Sequence, residues 1–195
     1  LTALDATNAY CTASREQCLA ELRRVAPELV PCAELFCRRE SSYFFWDGAG
    51  RCHKLRATDG VDQGDPLAPL LFACGLAPRL RELEAALQDA AAALGLERSR
   101  VRVLAFLDDV VVLTPPELAA EVVPASSRVF GAFGLALNAA KTQVWSRTSA
   151  RPEGVEERHW RAAGLTLVGV PLGEPLPAGG LPDQADGRRL DLGDA

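Results

Sequence analysis

Two adjacent carboxylates, Asp108 and Asp109, lie between the apolar runs Val101–Leu107 and Val110–Leu113. Apolar and β-branched residues on both sides predict a hairpin with the acids at its tip. Because burying bare charges costs free energy, an exposed tip beside a third carboxylate would suit divalent cations, which prefer oxygen ligands. Asp5 is the candidate for that third carboxylate. Solvated turn acids are the alternative interpretation, since Asp is common in turns.

Two further segments accompany these acids along the chain. Residues 60–72 include Gln63-Gly64-Asp65-Pro66-Leu67, and residues 133–142 end in Lys141-Thr142. In this order and with these gaps, the motifs closely resemble the palm of reverse transcriptases, in particular those of non-LTR retrotransposons and group II introns. The resemblance runs from about Leu1 to Gly173. The Gln-Gly-Asp-Pro-Leu element is its most specific part.

The resemblance implies RNA-directed DNA polymerase activity, in which a primer 3′-hydroxyl attacks a deoxynucleoside triphosphate. Two Mg²⁺ or Mn²⁺ ions ~4 Å apart would activate the hydroxyl and stabilise the leaving pyrophosphate. Asp5 and Asp108 match the positions that bridge both metals, and Asp109 would assist from the same tip. The implied partners are an RNA template, a DNA primer and deoxynucleoside triphosphates.

Other site residues are also assigned by the resemblance. Tyr10 matches an aromatic residue that lies under the sugar and blocks a ribose 2′-hydroxyl, with a core tyrosine as the alternative. Gln63 and Gly64 match the segment that lines the nascent base pair, where glycine lets the backbone approach closely; an ordinary loop before a helix is the alternative. Lys141 matches a lysine near the leaving phosphates, which could neutralise charge or donate a proton. An exposed lysine at a strand start is its alternative.

Weaker matches and departures complete the comparison with that family. Val168 and Gly169 resemble the hairpin that grips the primer end. Arg15 either contacts phosphate or has a structural role. Phe106 stands where the family usually has Tyr, a change of little expected cost. The basic amino-terminal fingers that hold the triphosphate are missing, so the fragment alone is expected to be inactive.

Two other functions compete with the polymerase assignment. A decayed or repurposed palm that acts as a non-catalytic module is favoured by the acidic charge and the missing regions, whereas intact Asp5, Asp108 and Asp109 favour catalysis. Another palm enzyme, such as an RNA-templated RNA polymerase or a nucleotide cyclase, is disfavoured by the motif at 63–72.

Composition predicts one globular domain. The chain has 195 residues, 48% of them hydrophobic and 24% charged, enough to bury a core. Residues 1–173 are assigned to the palm, with fingers and thumb missing, and residues 174–195, rich in Pro, Gly and Asp, are expected to be disordered. The net charge of −5 argues against a strong grip on nucleic acid by this segment, because phosphate affinity comes from clustered Lys and Arg.

The expected location is intracellular and reducing, with nucleus and cytoplasm undistinguished. No run approaches about twenty apolar residues, and the amino end lacks a secretion signal, so neither a membrane span nor export is predicted. The six cysteines are therefore expected to be reduced. Zinc binding by Cys32, Cys37, Cys52 and His53 is disfavoured because the second half lacks a paired spacing.

The elements that must position these residues follow from local patterns. A strand is predicted over 1–5, a helix over 15–25 with Ser14 and Gln17 as a capping box, and a second helix over 27–39. Residues 42–58 predict a hairpin whose aromatic side chains are assigned to the core. A helix should start at Asp65-Pro66, break near Pro78 and stop at Gly95.

Further on, two strands at 101–107 and 110–113 precede a helix from Pro116 to near Gly134, which Pro124 should kink or split. Residues 142–146 and 165–170 predict two more strands. Reduced to its core, the order is strand, helix, two strands, helix, strand. This order predicts an α+β fold: a polymerase palm whose antiparallel sheet has a ferredoxin-like βαββαβ core and helices on one face.

Overall fold

The computed structural model describes residues 1–37, 39–148 and 150–173, and the predicted disordered tail at 174–195 lies outside the described residues. The helices are α1 (Ala9–Thr12), α2 (Arg15–Val25), α3 (Val30–Cys37), α4 (Ala68–Ala93) and α5 (Ala119–Gly131). The strands are β1 (Thr2–Leu4), β2 (Ala6–Thr7), β3 (Ser41–Trp46), β4 (Cys52–Ala57), β5 (Arg102–Phe106), β6 (Asp109–Leu113), β7 (Ala136–Leu137), β8 (Gln143–Val144), β9 (Gly164–Leu167) and β10 (Val170–Gly173). Within the described ranges, no helix combines the length and apolar character that crossing a membrane requires.

A four-stranded antiparallel sheet in the order β5-β6-β1-β8 lies at the centre. The register pairs Thr2 with Val112 and Leu4 with Val110, and all four side chains are buried. Because side chains alternate along a strand, the residues between them lie on the opposite, more open face. Three two-stranded pairs, β2-β7, β3-β4 and β9-β10, surround this sheet. The mixed helix and antiparallel-sheet architecture confirms the predicted α+β class.

Helices α4 and α5 supply the core that covers the buried face of the sheet. Phe72, Leu76 and Phe130 pack in one cluster with Leu4 and Val110. Each such side chain contributes about 1.5–3 kcal/mol when it is fully buried. The burial of these residues therefore stabilises the strands that end at the acidic residues.

Proline does not interrupt either long helix. Helix α4 continues through Pro78, so the predicted break there is wrong, and α5 continues unsplit through Pro124. A proline inside a helix costs ~3 kcal/mol. Buried Leu76 and Leu83 anchor α4 on both sides of Pro78, and their burial offsets that cost. Helix α4 ends at Ala93, and the predicted stop residue, Gly95, follows two residues later with φ +72°.

The start of α2 confirms one half of the predicted capping box. The Ser14 hydroxyl accepts a 3.4 Å hydrogen bond from the Gln17 amide. The Gln17 side chain does not reach back; it donates to the Ala132 carbonyl at 2.7 Å. The Ser14 amide already donates to Phe133 at 2.9 Å, so it needs no reciprocal partner.

Three other predictions need correction, and the short elements α1, β2 and β7 were not predicted. The predicted helix at 27–39 is a 3₁₀ turn, Pro27–Leu29, followed by α3, which ends at Cys37. The strand predicted at 165–170 is the hairpin of β9 and β10. The aromatic residues of β3 are exposed, and the β3-β4 hairpin pairs with no other strand in the described part of the chain.

Candidate active site

Asp5 lies at the point where the amino-terminal strand changes partners. Strand β1 pairs with β6 and β8, and β2, which begins one residue after Asp5, pairs with β7. The Asp5 carbonyl accepts a 2.7 Å hydrogen bond from the Asn138 amide. Since Leu4 faces the core, alternation directs Asp5 to the open face. The β1-β6 pairing ends at Leu4 and Val110, and the residues next to that pair are Asp5 and Asp109.

The two acids of the β5-β6 hairpin face different sides of the sheet. Phe106 pairs with Asp109, which leaves a two-residue turn, Leu107-Asp108, with Leu107 at φ +56°. Asp109 borders the open face beside Asp5. Asp108 borders a small apolar recess on the helix side, with Leu4 and Phe72.

A cavity of about 230 Å³ opens on this face of the sheet. Its walls come from β1 and, more than a hundred positions later in the sequence, from β6, the segment around β8 and the β9-β10 hairpin. The lining residues are Ala3, Leu4, Asp5, Asp109, Val110, Val111, Lys141, Gln143, Thr166, Leu167 and Val168. The fold thus brings together Asp5, Asp109, Lys141 and Val168, four of the residues selected from the sequence.

Lys141 is the cation of this cavity. Its Nζ lies 3.8 Å from Oδ1 of Asp5. A turn at Asn138 positions it, since the Asn138 side-chain oxygen accepts from the amides of Ala140 (3.1 Å) and Lys141 (3.3 Å). Asn138 had no assigned role in the sequence analysis. The preference of Asn for turns that bond their own backbone was the available signal.

The carboxylates around Asp109 repel one another. Partial burial raises the pKa of Asp109 above its ordinary 3.8, and the nearby Asp108 and Asp5 carboxylates raise that pKa further. Neighbouring like charges disfavour the ionised form. The site therefore favours any cation that reduces this repulsion.

Asp109→Asn is expected to stabilise the metal-free protein at neutral pH. Because the folded-state pKa of Asp109 is raised, the folded state holds this proton more tightly, and the free energy of unfolding falls as pH rises from 3.8 through that higher pKa. The Asn variant has no carboxyl group at this position, so its free energy of unfolding does not fall for this reason as pH rises. Urea unfolding in EDTA at several pH values should show a gain at pH 7 that vanishes at the acid end.

A matched control is Asp89→Asn, on α4. The Asp89 carboxylate lies 2.8 Å from Arg98, so its removal deletes an attraction instead of a repulsion. Its effect on the free energy of unfolding at pH 7 should be small and of opposite sign. Equal unfolding free energies of wild type and Asp109→Asn at pH 7 would contradict the repulsion.

The carboxylates of the cavity are few in number for a divalent cation. Within residues 1–37, 39–148 and 150–173, no group of three or more His, Cys, Asp and Glu side chains is arranged to hold a metal. Asp5 and Asp109 nevertheless share one cavity. Mg²⁺ is commonly bound by one or two carboxylates, with water and substrate phosphates completing its shell. The pair of carboxylates fits that mode of binding.

Tyr10 lies on the Asp108 side of the sheet. It is half-buried, and its ring stacks on Phe72 with centroids 4.6 Å apart and planes 12° apart. Burial raises the pKa of Tyr10, and the Asp108 carboxylate raises it further. The ring is therefore fixed in place beside one of the acids.

The loop at 60–65 is anchored beside Tyr10. The Val61 amide donates to the Tyr10 carbonyl at 2.7 Å, and at the other end Asp65 Oδ1 accepts from the Leu67 amide at 2.8 Å, as expected for the helix start. Gln63 and Gly64 between them are exposed, and Gly64 has φ +95°. Both residues are accessible to a ligand.

Arg15 is buried at the base of this loop and does not reach the cavity. Its Nε donates to the Gly60 carbonyl, and its two terminal nitrogens donate to the Arg39 carbonyl (3.0 Å) and the Ser41 hydroxyl (3.1 Å). These bonds use all three guanidinium nitrogens. The sequence allowed Arg15 either a contact with phosphate or a structural role, and this geometry supports the structural role.

Val168 and Gly169 form the two-residue turn between β9 and β10. Both have positive φ, +47° and +79°, and Val168 is 61% exposed. A β-branched residue such as Val168 is strained at positive φ, which costs on the order of 1–3 kcal/mol. Val168 lines the cavity with Asp5 and Lys141. This turn therefore stores strain at the edge of the candidate site.

Comparisons with known proteins show which chains this one resembles. The chain is 32% identical over 150 residues to the retrotransposable element SLACS 132 kDa protein of Trypanosoma brucei gambiense, an alignment that covers 76% of this chain and 12% of that protein. In fold it resembles telomerase from Candida albicans, solved in complex with a TWJ fragment of telomeric RNA. The TM-score is 0.55 and the identity 13%, over 88% of this chain and 29% of that one.

The chain thus spans about an eighth of the length of its curated relative. The sequence profile of one family, described as reverse transcriptase (RNA-dependent DNA polymerase), matches residues 1–170, nearly all of the described chain and every residue of the cavity. This chain belongs to the reverse transcriptase (RNA-dependent DNA polymerase) family.

Proposed function

We propose that this chain is the palm of an RNA-directed DNA polymerase of retroelement origin. The observation that carries the proposal is the meeting of Asp5, Asp109 and Lys141 in one cavity. In the proposed palm, β1, α4, β5, β6, α5 and β8 form the ferredoxin-like βαββαβ core, which the strand order β5-β6-β1-β8 supports. Residues 1–173 constitute this palm.

The carboxylates Asp5, Asp108 and Asp109 are the proposed metal ligands. Two divalent cations bound there would activate the primer 3′-hydroxyl and stabilise the pyrophosphate that leaves. Asp5 and Asp109 already lie on one face, whereas Asp108 approaches from the turn. Lys141 exchanges its contact with Asp5 for the leaving phosphates, where its charge lowers the barrier.

The remaining residues orient the substrates. The exposed Val168-Gly169 turn holds the primer end at the rim of the cavity. Gln63 and Gly64 line the nascent base pair, and Tyr10 lies under the sugar. Arg15 acts indirectly, because its bonds to Gly60 and Ser41 hold the loop that carries Gln63.

This palm works as part of a longer protein in an intracellular, reducing compartment. Its relatives are longer, and a net charge of −5 leaves most of the binding of template and primer to other regions. The proposed substrates are an RNA template, a DNA primer and deoxynucleoside triphosphates.

Primer extension on an RNA template tests the proposed function. The 195-residue chain, and the same chain within its longer reading frame, would be assayed with Mg²⁺ or Mn²⁺ and deoxynucleoside triphosphates. Template-directed DNA synthesis by the longer protein is expected. Failure of that protein to extend any primer, together with no metal-induced rise in the melting temperature, would favour a repurposed module without catalysis.

Tyr10→Val is expected to raise ribonucleotide incorporation relative to deoxyribonucleotide incorporation about tenfold or more, because the smaller side chain removes a clash with the 2′-hydroxyl. Tyr10→Phe keeps the ring stacked on Phe72 and should preserve the wild-type ratio. The ratio is measured by primer extension with each nucleotide class. An unchanged ratio in Tyr10→Val would assign Tyr10 to the core alone.

A further inference from the structure

The β3-β4 hairpin exposes large apolar side chains that a folded domain usually covers. Phe44 is 57% exposed and Trp46 66% exposed. The hairpin pairs with no other strand in the described residues. A two-stranded hairpin is marginally stable alone, and an exposed patch of this kind usually marks a binding surface.

The two faces of the hairpin differ in how their polar groups are used. On one face, Phe45 stacks on His53 at 4.9 Å, His53 lies 2.7 Å from Asp47, and Tyr43 donates to Asp62 in the loop before Gln63. That face is therefore engaged by its own neighbours. The register places Phe44, Trp46, Lys54 and Arg56 together on the other face, which we call the Phe44 face.

Charge on the hairpin is opposite to that of the whole chain. Residues 41–57 contain Arg51, Lys54 and Arg56 but a single carboxylate, Asp47, so they carry +2 in a chain of −5. Asp47 is occupied by His53 and by the amides of the turn, which lowers its pKa. Among the described residues, Arg51 and Lys54 form no ion pair with a carboxylate; Arg56 lies 3.4 Å from Glu40.

Aromatic rings and cations alternate on the Phe44 face. Lys54 pairs with Phe44 across the strands, and its Nζ lies 5.8 Å from the centroid of the Phe44 ring. Phe44 and Trp46 are two residues apart on one strand, about 6.6 Å, so each ring is accessible separately. Stacking rings beside cations are the chemistry by which proteins bind single strands without reading their sequence.

We infer that the Phe44 face binds single-stranded nucleic acid. The bases stack on Phe44 and Trp46, and Lys54 and Arg56 contact phosphates. The inference rests on the proposed function, which supplies such a strand as unpaired template, but the binding itself requires neither a metal nor the carboxylates. Tyr43 links the hairpin to the Asp62 end of the loop that carries Gln63, so a strand held here lies next to that loop.

Fluorescence anisotropy with a labelled, unstructured RNA of about twelve nucleotides tests the inference on the 195-residue chain in EDTA. Wild type should bind the single strand more tightly than the blunt duplex of the same sequence. Phe44→Ala should weaken binding about tenfold. The control is Phe36→Ala, on α3, which removes a phenylalanine of matched exposure, 59%, and should leave binding unchanged.

Lys54→Gln keeps the apolar pairs of the hairpin and tests the charge separately. It should reduce the slope of log affinity against log salt by ~0.7, the value for one phosphate contact on a single strand. Equal binding by Phe44→Ala and wild type, equal affinity for duplex, or a dimer that Phe44→Ala dissociates would overturn the inference. Metal-induced stabilisation, measured in parallel on Phe44→Ala, reports on the carboxylate site and separates a failure here from a failure of the proposed function.

Discussion

Replacing Asp5 with Asn is expected to lower the rate of RNA-templated DNA synthesis about a thousandfold while the fold stays intact. Metal ions contribute several kcal/mol of transition-state stabilisation, and each 1.36 kcal/mol is a factor of ten in rate. Asp5 is half-buried at the cavity, and its backbone bond to Asn138 survives the substitution. Single-turnover primer extension by the longer protein measures the rate.

Metal titration followed by thermal unfolding reports on the same site in the 195-residue chain. Mg²⁺ or Mn²⁺ should raise the melting temperature of wild type and raise that of Asp5→Asn less. The control Asp89→Asn, an exposed carboxylate far along α4, should retain both synthesis and the metal response. Synthesis by Asp5→Asn within tenfold of wild type would exclude Asp5 from the catalytic site.

Gly60→Ala is expected to destabilise the protein by about 3 kcal/mol or more. Gly60 has φ +78°, a conformation that costs other residues roughly 1–2 kcal/mol, and an added Cβ would overlap the carbonyl of Cys11 and lie 2.6 Å from its Cα. Backbone atoms cannot move aside as a side chain can. The same substitution disturbs the carbonyl that accepts from Arg15. Urea unfolding measures the loss.

Gly64→Ala is the matched control for this loop. Gly64 also has positive φ, +95°, but its Cβ position is open. Gly64→Ala should therefore lower the free energy of unfolding only by the conformational cost, roughly 1 kcal/mol. Similar losses in the two variants would show that the contact with Cys11 is not what restricts position 60.

Local patterns predicted the elements whose signals are contained in neighbouring residues. Ser14 caps α2, Asp65 starts the turn into α4, and Gly95 ends α4, because a hydroxyl, a carboxylate and a free φ act within a few residues. The acidic tip was predictable for the same reason. Two apolar runs flank Asp108 and Asp109, and the pairing of those runs as β5 and β6 leaves the two acids at the end of the hairpin.

Predictions failed where residues far away in the sequence determine the local structure. Gln17 bonds to Ala132, which is 115 residues away, and no local motif contains that acceptor. Pro78 remains in a helix because leucines on both sides are buried. The turn at Val168 lacks the Asn-Gly signal that favours such turns. The aromatic residues of β3 read as core because a sequence pattern does not reveal whether a partner covers them.

The site residues were predicted less completely than the fold. The resemblance of motifs selected Asp5, Asp109, Lys141 and Val168, which line one cavity. It did not reveal that Asp108 and Asp109 face opposite sides of the sheet, since that depends on the two-residue length of the turn. It also gave no role to Asn138, whose bonds reach both Asp5 and Lys141.

The alternating burial of β1 makes the proposed catalytic activity depend on the register in which β1 pairs. A slip of one residue between β1 and β6 would turn Leu4 toward the cavity and Asp5 toward the core. A slipped molecule would lose an apolar contact and a proposed metal ligand in the same event. In a population of refolded molecules, the active fraction would therefore count those in which a three-residue strand has found its correct register.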